Sequence, residues 1–405
     1  MPELWLKMNL PRERDLISKY DQFDAVMVSA HVIEVFPRFL SAYIKRRAKA
    51  FIIDPYTHVL AYESFPNIIE VEEKRWFSKL IGAYGLDYLY NTGRNSLNEN
   101  DLIDGNGHPT DGLRQFTRAV IEYQLNRINI ELASLVDYEP DLEGEANPRF
   151  LIAPYFLIQN RRWLQICAEM AKEAIQLKGK NRLLVPIFIN KATLVTPMQR
   201  QEVISALNLP GVDGYIIWVS EFRETTELEG TLRQFRVWIT ELSRMGKPVY
   251  NLYGGLFSLL LADSGLSGVS HGICYGEFKD PTSEGGGGQI RYYHPFIRNK
   301  IQIGTLDSFN TDLQVPTESR CKCDICRVYG SDSQLEAMDL AHANEHFLIR
   351  RIDEVQQINN KMSDQILADL YSAYQYVQSR DSSGGELGIF YGHLERWVRA
   401  IRNEA

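Results

Sequence analysis

The chain has 405 residues, 44% hydrophobic, 11% aromatic and 24% charged, a make-up that excludes disordered and collagen-like polymers and fits a globular protein with a sizeable core. Its net charge of −8 excludes bulk electrostatic binding to nucleic acid and leaves only local basic clusters for that purpose. No run of 18 or more apolar residues occurs, and the opening MPELWLKMNLPRERDL is too charged for a secretory signal, so a cytoplasmic protein with no membrane span is expected.

From the N-terminus onward, short apolar runs alternate with longer amphipathic stretches. FDAVMVSA (23–30) and KAFIIDP (49–55) come first, followed by RFLIAPYFLI (149–158), RLLVPIFIN (182–190), GYIIWVS (214–220), PVYNLYGG (248–255) and VSHGICYG (269–276). Runs this apolar predict parallel strands buried on both faces. WLQICAEMAKEAIQL (163–177), PMQRQEVISALNL (197–209) and GTLRQFRVWITELSRM (230–245) have the length and periodicity of crossover helices. Repeated β-α units of this number predict a (β/α)8 barrel or a doubly wound sheet.

Residues 60–148 are too many for a loop and must hold helices of their own, EEKRWFSKLIGAYGLDYLY and DGLRQFTRAVIEYQLNRINIELASLV, before the acidic DYEPDLEGEANP. They are expected to form an insertion at the catalytic end of the barrel. EGGGGQ (284–289) is a loop that moves or lets a ligand approach closely, since it neither closes a first strand nor opens a helix as a nucleotide fingerprint would. Beyond about 333 the chain reads as helical, interrupted at SRDSSGGELG (379–388). The expected organisation is a barrel over 1–310 and a zinc-binding helical subdomain over 311–405. Three basic clusters stand out: Lys45, Arg46, Arg47 and Lys49; Arg161 and Arg162; and Arg291 to Lys300 with its interleaved aromatics. Each is either a solvated face or part of a groove.

Of five cysteines, Cys167 and Cys274 lie in apolar surroundings that read as core, whereas Cys321, Cys323 and Cys326 form C-x-C-x-x-C. Such crowding does not suit a disulfide framework; it suits a metal site in a reducing compartment. Tetrahedral zinc needs four ligands, and His342 and His346, four apart on one helix face, are both candidates for the fourth. Three thiolates and an imidazole leave no open position, so the zinc is expected to be structural.

C-x-C-x-x-C followed some twenty residues later by the histidine of HFL (346–348) resembles the zinc site of tRNA-guanine transglycosylases, and this likeness selects His346. VDGYIIWVSEF (212–222) and PVYNLYGGLFSLLLADSGLSGVSHGICYGE (248–277) resemble later strands of that family in the same order. The resemblance covers about 20–60 and 180–350. It implies a (β/α)8 barrel that exchanges a guanine for a 7-deazaguanine through an aspartate nucleophile, with a second aspartate moving the proton. The family's D-S-G-G-F-Q is matched by FIIDPYTHVL (51–60), which retains Asp54, the implied acid/base. Its nucleophile position falls on Ile273 when Cys274 is matched to the family cysteine; the nearest carboxylate is Glu277, and His271 lies two residues before. The base-reading aspartate has no counterpart. Tyr155, Phe156 and Trp218 are instead expected to stack on a base or to belong to the core, and Asp213 is kept without the Gly-Gly of the family.

Two readings follow. In the first, the chain is an enzyme that inserts a base such as 7-cyano-7-deazaguanine into nucleic acid, DNA rather than tRNA because tRNA-type signatures are lost, with Asp54 and Glu277 facing one another across one pocket. In the second, it is a non-catalytic nucleic-acid-binding or partner subunit that keeps the barrel and the zinc while losing carboxylates.

Overall fold

The computed structural model describes residues 1–8, 13–47, 50–62, 75–88, 94, 96–273, 277, 279, 289–360, 363–381, 383 and 387–402. Eight parallel strands, β1 (Glu3–Met8), β2 (Ala25–Ser29), β3 (Phe51–Asp54), β4 (Leu151–Ile152), β5 (Leu183–Ile189), β6 (Gly214–Val219), β7 (Val249–Asn251) and β8 (Leu266–Gly272), hydrogen-bond in the order β3-β2-β1-β8-β7-β6-β5-β4. A bridge between Ile52 and Phe150 brings the two edge strands together. The result is a (β/α)8 barrel.

Seven of these strands coincide with the apolar runs. The eighth, β1, comes from ELWLKM near the start, which pairs with β2 on one side and with β8 on the other. Its alternation is that of any barrel strand: Leu4, Leu6 and Met8 face the helices, and Trp5 faces the lumen. Lys7 shares the inward parity of Trp5. β4 is shorter than its run, and the neighbouring Pro186 explains how the sheet tolerates this. Leu184 and Phe188 of β5 accept from Ala153 and Ile158, so the polar groups of even-numbered β5 residues face β4. The missing N–H of Pro186 therefore falls in the gap between those two bonds and leaves none of them unmade.

Around the strands lie α1 (Glu13–Lys19), α2 (Pro37–Arg47), α3 (Asp111–Leu135), α4 (Arg161–Leu177), α5 (Pro197–Leu207), α6 (Glu229–Ser243) and α7 (Leu256–Leu260), one after each of the first seven strands. The long α3 packs between α2 and α4. It is thus the third helix of the ring, and the additional residues of the insertion lie before it, including shorter helices at Arg75–Ala83 and Glu99–Leu102. Thr110 caps α3 by accepting from the Leu113 N–H.

After β8 come a hairpin of β9 (Arg291–His294) and β10 (Asn299–Gln302), then α8 (Leu340–Asn359), α9 (Ser363–Gln378) and α10 (His393–Arg402). α8 packs on β9 and α7, and α10 on α6 and α9. No helix among the described residues is long and apolar enough to cross a membrane.

The barrel lumen is filled in layers. Trp5, Ile52, Phe150, Ile152, Leu184, Ile216 and Tyr250 form an apolar floor, in which Trp5 stacks on Tyr250 at 4.1 Å. Above it, toward the C-terminal ends of the strands, the layer changes character and carries charge.

Candidate active site and metal centre

Asp54 ends β3 and is fully buried in this upper layer. Its Oδ2 pairs with Lys7 Nζ at 2.8 Å, and Ser29 reaches the same oxygen at 3.4 Å. Oδ1 accepts from the Tyr155 hydroxyl at 2.9 Å and the Tyr56 N–H at 3.0 Å. Burial opposes ionisation, yet the Lys7 ammonium, with the hydrogen bonds from Lys7 and the Tyr56 N–H, holds the carboxyl well below the usual range. Lys7 also donates to the Tyr253 hydroxyl at 2.8 Å. A second ammonium, Lys279, lies 2.5 Å from the Tyr56 hydroxyl and over its ring.

Aromatic rings wall this network. Trp218 lies flat on Phe188 with 3.8 Å between centroids and 5° between planes. His58 stands edge-on to Trp218 at 4.8 Å and stacks with Tyr155 at 5.4 Å. Burial, aided by Lys279, depresses the His58 pKa well below its ordinary value, so the ring is neutral and offers one donor and one acceptor. Among the described residues, neither His58 nitrogen has a hydrogen-bond partner, and the same is true of Trp218 Nε1 and His31 Nδ1. Buried polar atoms of this kind are costly unless something satisfies them.

The remaining predicted residues go to different places. Phe156 turns outward, stacking on Phe116 of α3 and tilting against Trp163. Asp213 stands at the opposite end of the barrel, just before β6, where it takes the Lys178 ammonium and the Leu183 N–H at 2.8 Å. It caps a strand start and is remote from the mouth. His271 sits on the outer face of β8, edge-on to Phe347 of α8. Cys167 is buried on α4, as its surroundings indicate, while Cys274 and most of the glycine-rich loop fall outside the described residues.

Glu277 has cation partners other than Lys7, the partner of Asp54. It pairs with Lys300 at 2.6 Å and with Arg351 of α8, and these cations hold its pKa down to about 2 against the effect of burial. The carboxylate beside it is Glu224, which follows β6. Both approach Gly255: a Cβ on that residue would stand 2.7 Å from Glu224 and 2.9 Å from Glu277. Glu224 accepts from the N–H groups of Gly255, Phe257 and Ser258 and from the Ser258 hydroxyl. Burial, with Glu277 adding to it, raises the Glu224 pKa to about 7 despite those bonds. Both acids line a cleft of about 400 Å³.

Lys7, His58, Tyr253 and Glu224 were not visible as site residues. For His58 a signal existed, since it follows Asp54 by four residues in the same strand-end segment. Lys7 and Glu224 lie 47 residues before and 53 residues before their respective carboxylate neighbours Asp54 and Glu277, and no spacing rule connects them.

A cluster able to hold a metal ion lies in the C-terminal region. Cys321, Cys323, Cys326 and His346 place their donor atoms within 4.8 Å of one another. His346 Nδ1 is 3.7, 3.4 and 3.3 Å from the three sulfurs in that order. A tetrahedron with ordinary zinc–sulfur and zinc–nitrogen bonds has edges of about 3.5 Å, so the four donors fit such an ion. His346 Nε2 is 2.7 Å from the Tyr293 carbonyl, which fixes the ring so that Nδ1 faces the thiols. Tyr292 stacks on the imidazole at 4.4 Å and reaches Cys326 Sγ at 3.5 Å. His342 belongs elsewhere, 2.8 Å from the Tyr329 hydroxyl.

No protein-family model matches the chain, and no curated protein matches it.

Proposed function

We propose that the protein is a base-exchanging transglycosylase that places a 7-deazaguanine into nucleic acid, DNA in preference to tRNA, with the base held in the mouth of the barrel. The observation that carries this reading is the aromatic box around Asp54, where the nitrogens of His58 and Trp218 are buried without partners among the described residues. A heteroaromatic base would stack on such rings and satisfy both kinds of nitrogen. The place is also right, since barrel enzymes build their sites at the C-terminal ends of the strands.

Asp54 is ionised, and an ionised carboxylate suits the nucleophile in retaining glycosyl chemistry better than the acid, which needs a raised pKa. In this reading Asp54 takes that part, and Glu277 lies outside the reacting pair. A structural zinc on Cys321, Cys323, Cys326 and His346 completes the proposal; its role is to hold α8 against the β9–β10 hairpin, and it takes no part in the chemistry.

The second reading, a non-catalytic partner subunit, is favoured by one feature: Asp54 is clamped by Lys7 and fully buried. One experiment separates the two. Labelled 7-cyano-7-deazaguanine is offered with DNA and, separately, with tRNA to the wild type and to Asp54→Asn. Label should enter DNA with the wild type and not with the variant. Binding of the free base without incorporation into either polymer would instead identify the partner subunit.

A further inference from the structure

The cleft that holds Glu224 and Glu277 has a charge opposite to that of the chain. Within a net charge of −8, its described lining holds Arg223, Arg291, Arg298, Lys300 and Arg351 beside the carboxylates of Glu224 and Glu277. Arg298 and Arg351 also lean on Glu354 behind the wall, at 2.9 and 3.2 Å. Arg351 is 1% exposed, and its Nε has no hydrogen-bond partner among the described residues although it lines the cleft. A buried guanidinium that lines a cavity and keeps an N–H unpartnered among the described residues can take a further acceptor, and the fork geometry of arginine favours an oxyanion such as phosphate.

The two carboxylates add a second preference. They are too close for both to ionise without cost, and Glu224, with its raised pKa, is the one that keeps a proton near neutral pH. With Glu224 already accepting from Gly255, Phe257 and Ser258, its proton is the donor of the pair and the remaining lone pairs of Glu277 are the acceptors, a complement of neighbouring hydroxyl groups on a sugar.

The cleft also adjoins the mouth. Gly255, between the two acids, is two residues beyond Tyr253, whose hydroxyl binds Lys7. Glu277 is two residues before Lys279, whose ammonium meets Tyr56. Two residues span at most about 7 Å, so the two sites lie side by side.

We propose that this cleft is the sugar–phosphate subsite of a nucleotide unit whose base occupies the mouth, with the phosphate on Arg291, Arg298 and Arg351 and the pentose against Glu224 and Glu277. The base identity rests on the base-exchange reading; the affinity for a phosphorylated sugar does not.

The test uses the full chain, a fluorescein-labelled single-stranded DNA and guanosine 5′-monophosphate as competitor. Arg223→Gln and Arg291→Gln change exposed residues at the rim, where loss of fold is not at issue. Each should weaken binding of the DNA several-fold and lower the slope of log affinity against log salt by about 0.7. Competition by the monophosphate at comparable affinity would identify a free nucleotide as the ligand; displacement only by unlabelled DNA would identify the polymer backbone. Affinity and salt slope unchanged in both variants, or no binding of either ligand to the wild type, would overturn the subsite. Quenching of tryptophan fluorescence by free 7-cyano-7-deazaguanine is measured in parallel. Quenching without a cleft effect removes the subsite alone, whereas a cleft effect without quenching removes the base reading alone.

Discussion

Lys7 and Asp54 form an ion pair with side chains 3% and 1% exposed. Neither charge has water to fall back on, so each depends on the other. Replacing Lys7 by Met should destabilise the fold by about 3–5 kcal/mol, because a carboxylate is left buried without its counter-charge. Lys7→Met combined with Asp54→Asn should recover most of that loss, since an amide oxygen still accepts from Tyr155 and Tyr56. Urea unfolding of the three proteins measures both effects; equal stabilities throughout would show that the pair contributes nothing. The sign with pH follows from the depressed Asp54 pKa: its contribution is present above the unfolded value of about 4 and is lost as pH falls through the lower folded value. The same pair explains what was hard to read at this scale. Asp54 was recognisable at the end of an apolar run, but Lys7 sits inside ELWLKM, where a charge argues against a buried strand unless its partner is known.

Among the elements, α8 has the most to hold. Its His346 faces the thiols, its Phe347 covers His271 and the Lys300 ammonium, and its Arg351 holds Glu277. One helix therefore sets both the metal centre and one wall of the cleft, with Tyr292 and Tyr293 of β9 touching the metal ligands from the other side. Metal analysis should find about one zinc per chain. Removing it with a chelator, or replacing Cys326 by Ser, should raise amide exchange in Leu340–Asn359 while that of β5 and β6 stays low. Unchanged protection of α8 in metal-free protein would show that packing alone positions it. The Cys3His cluster was legible in sequence because coordination chemistry demands such residue types at short spacing. The proximity of Glu277 to Glu224 was not, because Glu224 arrives on a different β-α unit. Most strands were legible for a simpler reason: burial on both faces leaves a continuous apolar run.

On the scale of the molecule, the chain falls into two blocks of consecutive strands, β1 to β3 and β4 to β8. They meet at two seams that differ in strength. β1 and β8 pair in register through five residue couples; β3 and β4 meet at the single bridge of Ile52 and Phe150. What reinforces the second seam is largely the site itself. Tyr155 gives its hydroxyl to Asp54, while Thr57 Oγ1 donates to its carbonyl and accepts from its N–H, both at 2.8 Å. These bonds staple one block to the other beside the proposed base site. A ligand that draws the Tyr155 hydroxyl away from Asp54 thus removes a staple as it binds, and occupancy becomes coupled to breathing of the barrel wall. Amide exchange in Phe51–Asp54 should then change on adding 7-cyano-7-deazaguanine, with that of β1 and β8 unaltered; equal protection at both seams with and without the base would uncouple the two. The thin seam is in this sense a sensor, and the barrel's least secure joint is where it would first register that its mouth is full.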